Sequence, residues 1–118
     1  MDQQSLGRFR KALKERRDGV HLRLVLAREQ GRAQDQQNQS EVTDEADRGS
    51  AHVDREMSAI QQTQAGDFLE ALNEALDRID VGMFGKCLNC GQEIGMRRLE
   101  AIPWAQYCIT CQVLITGG

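Results

Sequence analysis

All four cysteines of this sequence fall near its carboxyl end, in two pairs: Cys87-Leu-Asn-Cys90, seventeen residues, then Cys108-Ile-Thr-Cys111. A C-x2-C-x17-C-x2-C arrangement reads as a zinc site. Zn2+ favours four soft ligands in a tetrahedron with Zn–S near ~2.3 Å, and a two-residue gap lets both sulfurs of a pair grip one ion from a tight knuckle. Gly91, directly after Cys90, suits the close turn that points backbone N–H groups at sulfur. Two knuckles fill the shell and leave no position for water, so the spacing predicts one structural Zn2+ and no catalytic metal. Other uses of four cysteines stay open. Disulfides belong to oxidising compartments, but the amino-terminal MDQQSLGRFRKALKERRDG has no apolar h-region, so no secretory signal is expected. A thioredoxin-like C-x-x-C needs a βαβ context, which the sequence lacks. An iron–sulfur cluster takes the same thiolates. Oxidation of the thiols with loss of metal would make them a redox sensor. His21 and His52 lie far from the knuckles and read as surface residues.

The remainder of the chain needs such a staple. Its 118 residues make room for one domain, and 3 Phe, 1 Trp and 1 Tyr are too few for a large globular core. Phe84, Trp104 and Tyr107 sit at or beside the cysteines, as do Ile94, Leu99, Ile102 and Ile109. A structural zinc supplies ~10 kcal/mol or more of apparent binding energy to a module with so little apolar surface. Arg97 to Ala101 reads as a short helix stopped by Pro103, and a terminal helix is expected from Cys108 to Ile115. Gly117-Gly118 reads as a frayed end.

Upstream, the apolar pattern is helical. Leu6, Phe9, Leu13, Val20, Leu24 and Ala27 recur at steps of three and four, with Ser5 as the expected N-cap. A second stripe runs through Val53, Met57, Ile60, Gln64, Phe68, Leu72, Ala75 and Ile79. Between them lies a polar stretch, for which a disordered linker over 34–50 is the alternative to a hairpin tip. After Ile79, Gly82 and Gly85 mark a helix end and a turn. The expected fold is mostly α: a long antiparallel coiled-coil helical hairpin over 1–82, tip at about 38–50, then a four-cysteine zinc-finger module with a short terminal helix over 83–118. Each arm would be ~45–50 Å long.

The net charge of -3 conceals a pattern. Residues 1–33 are basic. Residues 41–56 carry Glu41, Asp44, Glu45, Asp47, Asp54 and Glu56 against Arg48 and Arg55, and 57–86 are again acidic. Helices of opposite bias attract when laid side by side.

The segment FGKCLNCGQEIGMRRLEAIPWAQYCITCQ resembles the C4 zinc finger of the DksA/TraR family of bacterial, phage and plasmid transcription regulators. The likeness joins FG before the first cysteine, CG at the second, both knuckles at x17 spacing, and IGMRRLEAIP between them. It covers residues 40–115 well and the first helix by pattern only. Family members that act on the polymerase active centre carry D-x-x-D-x-A at the hairpin tip. Asp44-Glu45-Ala46-Asp47-Arg48-Gly49 keeps both aspartates and has Gly49 in place of alanine.

The resemblance implies a cytoplasmic, monomeric regulator that binds RNA polymerase directly and does not read DNA bases. Its hairpin would enter the secondary channel, and Asp44, Asp47 and Gly49 would lie near the active centre, altering open-complex lifetime. Such a factor shifts populations only by binding one state better than another. Asp47 has a structural alternative as an N-cap of the second helix. Asp44 with Asp47 holding a second Mg2+ in the polymerase is a further reading. Where alarmone-responsive members of the stringent response present basic residues, this chain has Ala71, Ile102 and Gln112, so weak or absent guanosine tetraphosphate binding is expected. A nucleic-acid-binding zinc ribbon is the other class of reading, yet residues 87–118 are neutral, with Arg97 and Arg98 the one basic pair. An enzyme is not expected, because no nucleophile–base pair, phosphate loop or open metal site is legible.

Overall fold

A computed structural model describes the backbone of residues 1–40 and 45–117, and the side-chain surroundings of 1–31, 57 and 59–117. Four helices follow one another: α1 (Gln3–Ser40), α2 (Glu45–Asp80), α3 (Met96–Ala101) and α4 (Ile109–Thr116). No strand occurs among the described residues, only an isolated antiparallel bridge between Lys86 and Glu93. The fold is a coiled-coil helical hairpin with a carboxyl-terminal zinc-finger module. The polar stretch, for which a disordered linker is the alternative, is helical up to Ser40 and again from Glu45.

Helix ends follow local chemistry. The cap of α1 is Asp2 and not Ser5: the Ser5 N–H donates to Asp2 Oδ1 at 2.7 Å, and Leu6 N–H to the Asp2 carbonyl at 3.1 Å. An aspartate before the first turn satisfies an otherwise free N–H and faces the positive end of the helix. That bond holds the Asp2 carboxyl below its usual range. At the end of α2, Gly82 at φ 76 lets its N–H reach the Ile79 carbonyl, while Met83 N–H reaches that of Arg78 at 2.8 Å. These two bonds make a Schellman stop, which needs the left-handed residue that glycine supplies. Gly117, expected to fray, instead caps α4 at φ 77 with its N–H on the Val113 carbonyl.

Two compact units are present: Met1–Arg17 with Glu70–Gly118, and Asp18–Leu69. The first has the tighter core, with Phe9, Leu13, Leu72, Ala75, Leu76, Ile79, Phe84, Ile94 and Leu99 buried. Phe9 of α1 meets Phe84, just beyond α2, at a centroid distance of 5.3 Å and an interplanar angle of 48°, a favoured tilted packing. Gly85 at φ 87 lies under Met1 and Leu99; a Cβ there would sit 3.4 Å from Met1 Cε and 3.5 Å from Leu99 Cδ1. Arg10 pairs with Asp80 at 3.0 Å, a contact between the oppositely biased segments. Both partners are exposed, so the pair contributes only ~0–1 kcal/mol.

The second unit is packed differently. Val20 and Leu24 are buried, but Met57 and Ile60, expected on the buried stripe of α2, are exposed. Here Leu24 has small and amide neighbours on both helices. A groove of about 540 Å³ is lined by Leu24, Ala27, Gly31, Gln61, Gln62 and Ala65. Leu22, Val25 and Leu26 of α1 are exposed as well. Among the described residues no helix is long and apolar enough to cross a membrane.

Candidate metal centre

The first knuckle is built on a tight turn. Cys87 N–H donates to the Gln92 carbonyl at 2.8 Å and Gly91 N–H returns to the Cys87 carbonyl at 3.0 Å, with Gly91 at φ 77. Ile94 N–H reaches back to the Gly85 carbonyl at 2.9 Å, closing the loop on the end of the hairpin. The second knuckle starts at Cys108, which occupies the residue before α4 in extended conformation, and Cys111 sits in the first turn of that helix. Leu88 N–H donates to the Gln106 carbonyl at 2.9 Å and joins one knuckle to the approach of the other.

The four sulfurs lie within 4.8 Å of one another. Cys90 Sγ and Cys108 Sγ are 3.8 Å apart. A tetrahedron with Zn–S of ~2.3 Å has an S–S edge of about 3.8 Å, so the donor set fits zinc in type, number and spacing. Cys87 and Cys111 are buried, Cys108 is half-buried and Cys90 is exposed. The cluster has an inner and an outer side, and one ion held by all four thiolates would have a filled shell.

The protons of this cluster are unevenly held. Burial pushes the Cys87 thiol up, but bonds from the backbone of Cys90, Cys108 and Asn89 outweigh it and bring the thiol down to about 6. The Asn89 amide pulls Cys111 down, yet Cys108, burial, Cys87 and Cys90 together raise it to about 12. The Cys87 thiolate forms readily while Cys111 holds its proton, as expected where like charges would crowd together. A dication held by the four sulfurs would remove that difference, because metal-bound thiols are deprotonated outright. Asn89 Nδ2 lies 3.4 Å from Cys111 Sγ. Sequence reasoning does not single out this donor; the signal available is an amide inside a C-x-x-C loop.

All four predicted metal ligands therefore come together, and among the described residues no histidine or carboxylate joins them in the cluster. Ala71, Ile102 and Gln112 are each half-buried. Of the predicted tip residues, Asp44 lies outside the described residues. Asp47 and Gly49 fall within α2, with side-chain surroundings also outside them. Since α2 starts at Glu45, Asp47 follows the helix start and does not precede it as a cap would.

The profile of the prokaryotic dksA/traR C4-type zinc finger matches residues 82–114. The RNA polymerase-binding transcription factor DksA of Haemophilus influenzae is 30% identical over 114 residues, spanning 97% of this chain and 76% of that protein. The chain belongs to the DksA/TraR family. DksA of Escherichia coli (strain K12) is likewise 30% identical over 97% of this chain and 73% of its own. A solved structure of transcription factor DksA2 from Pseudomonas aeruginosa aligns with a TM-score of 0.77 at 27% identity, covering 98% of this chain and 86% of that one. The DksA likeness therefore extends over the hairpin helices as well as the zinc finger.

Proposed function

We propose that this chain is a transcription regulator that binds RNA polymerase directly. The observation that carries the reading is its 30% identity, over 97% of its length, to proteins named RNA polymerase-binding transcription factor DksA. A likeness limited to the cysteine module would fit many zinc-finger proteins; one that includes α1 and α2 does not. In this reading residues 1–82 work as the hairpin and 83–118 as the zinc finger. Cys87, Cys90, Cys108 and Cys111 hold one structural Zn2+, supported by the close fit of the sulfur spacing. The protein acts as a cytoplasmic monomer and is not an enzyme.

The hairpin enters the secondary channel, and the acidic tip with Asp44 and Asp47 acts near the active centre. Open complexes at different promoters then change lifetime according to how the factor binds their competing states. Gly49 removes a methyl group from the tip and loosens its backbone, so inhibition is weaker than with alanine there. The uncharged Ala71, Ile102 and Gln112 offer a polyphosphate no charge-assisted donors, so alarmone synergy is weak or absent.

The test is transcription with purified RNA polymerase at a promoter with a short-lived open complex, with and without guanosine tetraphosphate. The wild type should shorten the lifetime and Asp44→Asn/Asp47→Asn should not. A double variant as active as wild type sinks the acidic-tip mechanism, and strong alarmone synergy sinks the alarmone reading. An unchanged lifetime with Gly49→Ala removes the role given to that glycine.

A further inference from the structure

Four consecutive residues, Trp104 to Tyr107, lead from Pro103 into Cys108, and each meets a side chain of α1, α2 or α3. The Arg16 guanidinium of α1 lies over the Trp104 ring, 5.8 Å from its centroid. Arg78 of α2 donates through Nη2 to the Ala105 carbonyl at 3.4 Å. One turn earlier on α2, Glu74 Oε2 accepts from Gln106 Nε2 at 2.9 Å. Arg98 of α3 donates through Nε to the Tyr107 carbonyl at 3.1 Å. Three arginines from three helices thus converge on one short stretch of chain.

Arg78 is the buried charged side chain among the described residues, at 9% exposure. Burial disfavours its charge and pulls its pKa down, with Glu74 acting in the opposite sense. A guanidinium so placed costs desolvation that only well-used donors offset. It is not among the four clustered cysteines. Its hold on the approach to Cys108 gives it a use.

We propose that Arg78 and Glu74 are positioning residues for the metal site: they fix the 104–107 segment so that the Cys108 sulfur stands 3.8 Å from that of Cys90, the edge length of a tetrahedral thiolate site. The inference rests on the reading of the four cysteines as zinc ligands. Its consequence is reciprocal by linkage. Metal holds the base of the hairpin in register, and the base of the hairpin holds the metal.

Arg78→Met keeps the length and apolar stem and removes every donor. In the full chain loaded with Zn2+, transfer of metal to a chromogenic chelator should become about tenfold faster, the lower end of what loss of an outer-shell partner costs a metal site. Arg78→Lys retains a donor and should recover part of the loss. With Co2+ in place of Zn2+, the ligand-field bands of the tetrahedral thiolate site should shift or broaden in Arg78→Met. Leu72→Ala weakens the same helix but has no part in the grip on 104–107, and should leave those bands unchanged. If Arg78→Met does not fold, Glu74→Ala and Gln106→Ala take its place. Each should speed release, and the double variant should add little because one bond is shared. Release at the wild-type rate in the folded variants overturns the proposal and leaves the zinc reading standing. A wild-type chain that takes up neither Zn2+ nor Co2+ overturns both.

Discussion

Leu72 and Ile60 lie on the same sequence stripe of α2, a little over three turns apart, yet the structure gives them opposite weights. Leu72 has no exposed surface, whereas Ile60 is 53% exposed. Leu72→Ala deletes buried carbon atoms at ~0.8 kcal/mol per CH2 and leaves a cavity, for a total of about 3–4 kcal/mol. Ile60→Ala removes a half-wet side chain and replaces a β-branched residue with the best helix former, so the net change should be within about 0.5 kcal/mol. The assay is urea unfolding of the metal-loaded chain followed by the fluorescence of Trp104, the one tryptophan, which lies in the same compact unit as Leu72. With a urea slope of ~2 kcal/mol/M, Leu72→Ala should lower the midpoint by about 1.5 M or more. Ile60→Ala should barely move it. Equal shifts for the two variants would refute the packing argument, since they would mean that the whole stripe is buried alike.

Gly85→Ala should destabilise by about 1–2 kcal/mol, because a left-handed φ of 87 is costly for any residue with a Cβ; Gly7→Ala, on an open helix surface, should stabilise by up to ~1 kcal/mol in the same denaturation assay. The lowered pKa of Asp2 makes its cap a contribution present above the unfolded carboxylate range and lost as pH falls through the depressed folded value. The stability difference between wild type and Asp2→Ala should therefore shrink on acidification, whereas Asp2→Asn, an uncharged cap, should show no such pH dependence. Chelation of the metal should change Trp104 fluorescence far more than far-ultraviolet helicity, since the staple holds the zinc finger and most helical residues lie elsewhere; a proportional loss of both signals would contradict this.

The cysteine cluster is legible in the sequence because ligand chemistry leaves few spacings, and Cys87, Cys90, Cys108 and Cys111 satisfy one of them. Leu72 to Ile79 is legible for a similar reason: periodicity identifies a face, and Leu72, Ala75 and Ile79 are buried in the same compact unit as Phe9 and Leu13. The same periodicity cannot tell that Met57 and Ile60 face outward, because a stripe on one helix says nothing of what stands opposite. Ser5 and Asp2 both suit a cap, and only the backbone decides between them. Gly117 reads as a loose end because sequence alone does not reveal that α4 needs a left-handed stop. Asn89 and Arg78 escape notice because polar residues in a loop or on a helix read as solvated until burial and partners are known.

The groove among Leu24, Ala27, Gly31, Gln61, Gln62 and Ala65 has a consequence for time as well as for space. Where large apolar residues interlock, amide protons escape only when the whole unit opens; where Leu24 stands opposite alanine, glycine and glutamine, a turn of helix opens more readily. Hydrogen exchange should accordingly divide α2 along its length. Amides around Leu72–Ile79 should exchange at the rate of global unfolding, and those around Gln61–Ala65 orders of magnitude sooner. The chain thus carries two clocks on one helix, and the faster belongs to the part that leads toward the acidic segment.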